Sequence, residues 1–263
     1  MDKDLADKPD RYTIQTIDKA LTLIELLAER GSLSLIELTE LLEQPKSSTY
    51  RIILTLQNRG FIDRDDEDGK YCLGYKQLML TRSMLERSNL RTAALAEMKK
   101  LSERYGDTVN LGVLADGEVL YVEIIESSYP LRMTDTVGSR SPFHATGIGK
   151  AIVSQLPEAE ALALAEQHGL KRLTGNTIGE WDKLRAELET VRARGYALDD
   201  QEIVEGARCV AAPVYNLYGK VEGAISLSGA MHRFGKDKVE EIAEQVVLAA
   251  NAISRKMGYR QIK

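Results

Sequence analysis

The sequence predicts an α+β protein of two domains, and three observations predict it. Residues 10–60 carry helical periodicity punctuated by strong start and stop signals, residues 61–73 read as two short strands around a polar tip, and from Thr108 onward strand patterns alternate with amphipathic helices. A chain of 263 residues, 43% of them hydrophobic, can bury a core in each of two domains. The expected division is a helix-rich domain over 1–74, a linker helix over 75–89 and a C-terminal α/β domain over 90–263.

The first helix is expected over 10–30, where Ile14, Ile17, Leu21, Ile24, Leu27 and Ala28 follow helical spacing and Gly31 supplies the stop. Ser34 and Glu37 form a candidate capping box, the hydroxyl taking an orphan N–H and the carboxylate reaching back. They open a short helix with Ile36, Leu38, Leu41 and Leu42, which Glu43-Gln44-Pro45 breaks. A third helix is expected over 46–59, ended by Gly60. Thr49, Ile52, Ile53 and Leu56 form its inward face, leaving Lys46, Ser47, Ser48, Tyr50, Arg51, Leu54 and Thr55 outward. Strands at 61–64 and 70–73 flank Asp65-Asp66-Glu67-Asp68-Gly69. Three helices closed by a hairpin make a winged helix-turn-helix.

Leu78, Met79, Leu80, Met84 and Leu85 mark the linker helix as a core or dimer-interface stripe, and a helix over 90–105 follows. Strands are expected at 109–114 and 119–125, joined by Asp116-Gly117, a strong hairpin signal, and residues 131–137 are expected to extend that sheet. Helices at 147–154, 158–168 and 180–194 precede strands at 196–199, 209–215 and 221–228, and an amphipathic helix over 236–257 closes the chain.

A short helix, tight turn and longer helix with a polar first half is the arrangement that places its second helix in the major groove of DNA. Arg51 suits guanine O6/N7, Ser47, Ser48 and Tyr50 suit bases or phosphates, and Lys46 suits a phosphate; Arg64 and Lys70 flank the wing within reach of the backbone. The formal net charge of −5 argues against a nonspecific nucleic-acid coat, while a specific reader needs only one local basic face. Cys72 and Cys209 lie far apart without ligand spacing, and three histidines form no cluster, so neither a disulfide framework nor a metal or cofactor site is expected. No apolar stretch approaches the roughly 20 residues that span a bilayer, and the charged N-terminus lacks a signal-peptide core; a cytoplasmic protein without membrane contact is expected.

Along nearly its whole length the chain resembles the IclR family of bacterial regulators. The resemblance is carried by Ile14-Gln15-Thr16-Ile17-Asp18-Lys19-Ala20, Pro45-Lys46-Ser47-Ser48-Thr49-Tyr50-Arg51 and Gly60-Phe61-Ile62. In the second domain it is carried by His144-Ala145-Thr146-Gly147-Ile148-Gly149-Lys150-Ala151, Gly195-Tyr196-Ala197-Leu198-Asp199-Asp200-Gln201-Glu202, Gly206 to Pro213 and Ala224 to Gly229. It implies a GAF-like effector-binding domain, homodimers that often pair into tetramers, and control of catabolic genes at double-stranded operator DNA by a small metabolite. A fainter similarity, through Leu131-Arg132-Met133, Lys171-Arg172, Thr177-Ile178, Arg233-Phe234 and Lys256-Met257-Gly258-Tyr259, points to the branch that controls pectin and 2-keto-3-deoxygluconate catabolism.

Carried over by position, the family's effector pocket falls on Leu131 to Met133, Gly147, Ile148, Asp199, Ala207, Cys209, Ser226 and Ser228. Ser226 and Ser228 are two apart on an expected strand and so face one side. Gly147 and Ile148 open a helix whose free N–H groups suit a carboxylate, which favours a small organic acid or sugar acid. Asp199 would repel an anion and is expected to accept a ligand hydroxyl or to order its loop. Ile148 is bulkier than the residue common there and is expected either to narrow the pocket or to admit a more apolar ligand; Ala207, where Leu is common, is expected to make the opposite wall roomier.

Several sharper readings yield to plainer ones. Gly147-Ile148-Gly149-Lys150 lacks the glycine and the hydroxyl residue of a phosphate-binding loop. Cys209 reads as a packed thiol rather than a nucleophile, and His144 as a local hydrogen-bonding residue. Asp199 and Asp200, adjacent on a strand, point to opposite faces and do not share a catalytic proton. The chain is therefore not expected to be an enzyme; an enzyme with an accessory helix-turn-helix, or a protein-binding module, are the competing readings.

Overall fold

The computed structural model describes residues 13–80, 89–130, 133 and 135–259, which fall into two compact units within 1–87 and 88–263. In the first unit α1 (Gln15–Arg30), α2 (Leu35–Leu41) and α3 (Lys46–Asn58) are followed by the antiparallel pair β1 (Ile62–Arg64) and β2 (Tyr71–Leu73). The capping box forms as the spacing predicts: Glu37 N–H donates to Ser34 Oγ at 3.3 Å and Ser34 N–H to Glu37 Oε2 at 2.7 Å. Leu23, Leu27, Leu38, Leu42, Ile53 and Ile62 make the core. The apolar register of α1 departs from the sequence reading. Leu27 is buried as expected and Leu23 joins it, whereas Ile14, Ile17 and Leu21 are more than half exposed. Two apolar rows run along this helix, and the core takes the one containing Leu23. Residues 76–80 are helical; the rest of the expected linker, with Met84 and Leu85, lies outside the described residues.

The second unit is a six-stranded antiparallel sheet in the order β5-β4-β3-β8-β7-β6. Its strands are β3 (Thr108–Ala115), β4 (Glu118–Ile125), β5 (Arg140–Pro142), β6 (Ala197–Asp200), β7 (Ala207–Tyr215) and β8 (Val221–Ala230). Asp116 and Gly117 turn β3 into β4 with φ of 52° and 77°, the paired positive values of the tightest hairpin turn. The strand expected at 131–137 is absent among its described residues: the edge pairing with β4 comes from Arg140–Pro142, where a proline loses nothing by lacking an N–H toward solvent.

Strand parity sorts the two faces of the sheet. Val109, Leu111, Val210, Ala212, Ile225 and Leu227 project to one side, against α4 (Asn89–Tyr105) and the closing helix α8 (Lys236–Lys256). Their neighbours in sequence project to the other side. There α5 (Gly147–Val153), fully buried along its length, lies on the sheet, backed by α6 (Glu158–His168) and α7 (Trp181–Arg194).

Candidate DNA-reading helix and ligand cavity

In α3 the buried residues Thr49, Ile52 and Ile53 fix the rotation of the helix, and that rotation leaves Lys46, Ser47, Ser48, Tyr50, Arg51, Leu54 and Thr55 exposed, as the periodicity predicts. Pro45 precedes the first turn without a side-chain cap. Ser48 and Arg51 stand on the flank toward α1, where they line a groove of about 540 Å³ with Ile17, Leu21, Ile24 and Phe61. Lys46 and Tyr50 stand on the opposite flank of the exposed face.

The wing differs in character from the helix. Arg64 donates from Nε to Gly69 O at 3.1 Å and lies 5.7 Å from the Tyr71 ring, so its guanidinium braces the wing's own tip. Lys70 Nζ lies 3.9 Å from Asp68. The tip itself is acidic and shaped by its carboxylates, Asp65 accepting from Glu67 N–H and Asp68 from Lys70 N–H. Both basic residues expected at the wing are engaged within it.

On the α5 face of the sheet, the parity that sends Ile225 and Leu227 to one core sends Ser226 and Ser228 to a small cavity of about 20 Å³, room for about one water. Asn110, the register partner of Ser226, spans both hydroxyls from Nδ2 at 3.4 and 3.2 Å, and its buried Oδ1 has no partner. Cys209 comes from β7, Asp199 from β6 and Tyr121 from β4. Gly147 and Ile148 close the floor from α5, while Met133, Asp135 and Ile203 close the rim. A Cβ on Gly147 would meet that of Ala211 at 3.2 Å; the missing side chain lets α5 approach the sheet. Thr146 Oγ1 accepts Gly149 N–H at 3.1 Å, so one of the amide groups expected to meet a carboxylate is already capped.

Of the residues expected at the pocket, Met133, Gly147, Ile148, Asp199, Cys209, Ser226 and Ser228 line this cavity. Ala207, at the start of β7, does not, because it lies one strand pitch beyond Cys209, paired with Ala230. Leu131 lies outside the described residues. Asn110, Tyr121, Asp135, Thr146 and Ile203 were not anticipated. A signal existed for Asn110, a polar residue on the same strand parity as no buried aliphatic neighbour, but using it requires knowing that β3 pairs with β8.

The electrostatics are set by burial. It pushes the Asp199 carboxyl up to about 6, against the pull of Glu202 N–H, which Oδ1 accepts at 2.7 Å, and of the Lys150 charge. It also raises Asp135, Tyr121 and the Cys209 thiol, which is thereby kept from acting as a nucleophile. Lys150, 1% exposed, directs Nζ away from the cavity to Leu198 O at 2.6 Å and to the carboxylates of Glu202 and Glu187. The loop after Asp199 is pinned from its other side, since Thr177 and Thr174 hydroxyls donate to Glu202 O and Gln201 O at 2.6 Å each. Asp200 points oppositely and pairs with Arg208 at 2.6 Å. His144 Nε2 bonds Lys171 O at 3.0 Å. Among the described residues no group of three or more metal-ligating side chains is gathered, and no helix is long and apolar enough to cross a membrane.

Residues 16–66 match the family model for the IclR helix-turn-helix domain, and residues 82–255 match that for the bacterial transcriptional regulator IclR C-terminal domain. The HTH-type transcriptional regulator KdgR of Dickeya chrysanthemi is 33% identical over 256 residues, 97% of this chain and 83% of that one. The transcriptional repressor IclR of Escherichia coli is 33% identical over 257 residues, 97% of this chain and 94% of that one. The crystal structure of Thermotoga maritima IclR matches with a TM-score of 0.80 at 31% identity, over 94% of this chain and 100% of that one.

Proposed function

The chain belongs to the IclR family of bacterial transcriptional regulators, and from that premise we propose that it is a repressor of catabolic genes whose hold on double-stranded operator DNA is set by a small organic acid or sugar acid in the α5 cavity. Its relatives are regulators rather than enzymes. The observation that carries the effector reading is the cavity wall: Ser226, Ser228, Asn110 and Asp199 place buried polar groups on the sheet face beneath α5, and Asn110 Oδ1 among them has no partner among the described residues, which suits a surface that a ligand completes.

The mechanism follows from the cavity's size. At about 20 Å³ it admits an organic acid only as Ile203 and Met133 give way, so ligand binding favours one arrangement of the 201–206 loop over another. In a homodimer, or a tetramer of such dimers, two α3 helices address successive major grooves of a pseudo-palindrome, and the ligand biases how the heads are held.

The experiment is a gel-shift titration of the protein against the intergenic DNA upstream of its own gene, with scrambled competitor, at two salt concentrations and with a panel of small organic acids. Specific retardation altered by one acid supports the reading; a specific shift that no acid changes removes the effector part. Within it, Arg51→Ala is expected to lose about 1–3 kcal/mol of discrimination between operator and scrambled DNA, while Lys46→Ala weakens binding to both equally and lowers the salt slope by about 1. An unchanged operator preference in Arg51→Ala removes Arg51 from base reading.

A further inference from the structure

The polar wall of the α5 cavity is a hydrogen-bonded ladder with one fixed direction, and the following rests on the organic-acid reading above. Neighbouring strands in the order β3-β8-β7-β6 carry it. Asp199 on β6 stands opposite Cys209 on β7, and Cys209 opposite Ser228 on β8. Asn110 on β3 stands opposite Ser226 and diagonal to Ser228, within reach of both hydroxyls. All of these side chains line the cavity.

Asp199 sets the direction. An ionised carboxylate only accepts, and this one takes Glu202 N–H, Ile203 N–H and the hydrogen of the Cys209 thiol. With that hydrogen committed, Cys209 Sγ can only accept, and the hydroxyl that donates to it is that of Ser228. Ser228 Oγ is thereby left as an acceptor, and Asn110 meets it with Nδ2 at 3.2 Å. Each step leaves the next group one role, so the ladder ends on the carboxamide oxygen. Asn110 is 2% exposed, and its buried Oδ1 has no partner among the described residues. A buried acceptor left open is costly, and a ligand that brings a hydrogen to it recovers that cost. We propose that Asn110 is the residue that sets ligand specificity in this cavity, its Oδ1 accepting a hydrogen bond from a hydroxyl of the bound acid. The site therefore takes hydroxy acids and turns away the matched acid that carries hydrogen or a keto oxygen at that position, since a keto oxygen would set a second acceptor against Oδ1. Hydroxyl recognition of this kind is independent of whichever group meets the ligand's carboxylate. Asp199, with three donors on it, holds the ladder and the 201–206 loop in place.

The test is calorimetry on the full-length protein at about pH 8, where Asp199 is ionised and the ladder keeps its direction. The probes are matched sets: glycolate with acetate, D- and L-lactate with propionate and pyruvate, and D-gluconate with hexanoate. At least one hydroxy acid is expected to bind the wild-type protein about 10- to 100-fold more tightly than its match without the hydroxyl. Asn110→Leu, branched like Asn but without an acceptor, is expected to bring that pair to within about twofold by weakening the hydroxy acid alone. Asn110→Ala, which adds no bulk, carries the same expectation and stands in if the Leu variant does not fold. Wild-type protein that binds the members of each set alike, or prefers pyruvate to lactate, overturns hydroxyl recognition and leaves the organic-acid reading standing. A folded variant that weakens both members equally and keeps the preference also overturns it, because that is the signature of a merely structural residue. Silence from every probe counts against both readings.

Discussion

Replacing Lys150 with Met is expected to destabilise the C-terminal unit by about 3–5 kcal/mol at pH 8, the cost of leaving a buried ion pair with one partner. The Lys150 side chain is 1% exposed and that of Glu202 7%, so water does not take over the lost contact. Glu187, at 23%, keeps Arg194 at 3.1 Å. Burial raises the Glu202 carboxyl to about 7 even with Lys150 beside it. Its folded value lies above the unfolded one, so folding is favoured below the unfolded value and this contribution is lost as pH rises through the folded value. Removing Lys150 lifts the folded value further. The deficit is therefore largest at pH 8 and shrinks toward pH 5, where Glu202 is neutral in the folded unit. Urea titrations read through Trp181, the single tryptophan of the chain and a residue of α7, follow this unit directly. Lys150→Met with Glu202→Gln should recover most of the loss. A Lys150→Met deficit below about 1 kcal/mol, or one that grows as pH falls, refutes the buried-pair account.

The second large effect is expected at Gly149. A Cβ there would lie 2.2 Å from Phe143 O and 2.4 Å from its Cα, both backbone atoms, so no side-chain rotation relieves the contact. Gly149→Ala must push α5 away from residue 143, opening the clusters that contain Phe143, Ile148 and Ile152. A loss of more than about 4 kcal/mol is expected, at the extreme of single substitutions. Gly147→Ala is the contrast. Its Cβ meets that of Ala211 at 3.2 Å and the backbone of Cys209 and Ala211 only at ordinary contact distance, 3.6 and 3.7 Å, and a cost of about 1–2 kcal/mol is expected from a slight outward shift. Parallel urea midpoints for the two variants, again read at Trp181, check the pair; equal midpoints would show that α5 is less tightly held than its contacts indicate.

The first unit was legible in the sequence because its signals are local. Gly31, the Ser34 and Glu37 pair, Pro45 and Gly60 bound three helices within a few residues of where they lie. What periodicity could not settle was which flank of α1 faces the core: Leu27, in the expected row, is buried, but the core takes Leu23 beside it rather than Ile17 and Leu21, which fit helical spacing as well. In the second unit, strand parity was enough to put Ser226 and Ser228 on one face, and the family resemblance located Gly147, Ile148, Asp199 and Cys209. Asn110, Tyr121 and Asp135 escaped because their proximity depends on which strands pair and on a rim segment without periodicity. The burial of Lys150 was equally silent: a lysine on a short helix reads as a solvated residue until its partners, 37 and 52 positions later in the chain, are brought to it.

The closed state of the α5 cavity also bears on time. With space for about one water and Ile203 and Met133 across its rim, the organic acid proposed above would not dock by collision alone; its association would wait for the 201–206 loop, held by Thr174, Thr177 and Asp199, to loosen. Release waits for the same event. Such a sensor is expected to take up its ligand at a rate well below the diffusion limit, set by how often the loop opens rather than by how often the ligand arrives.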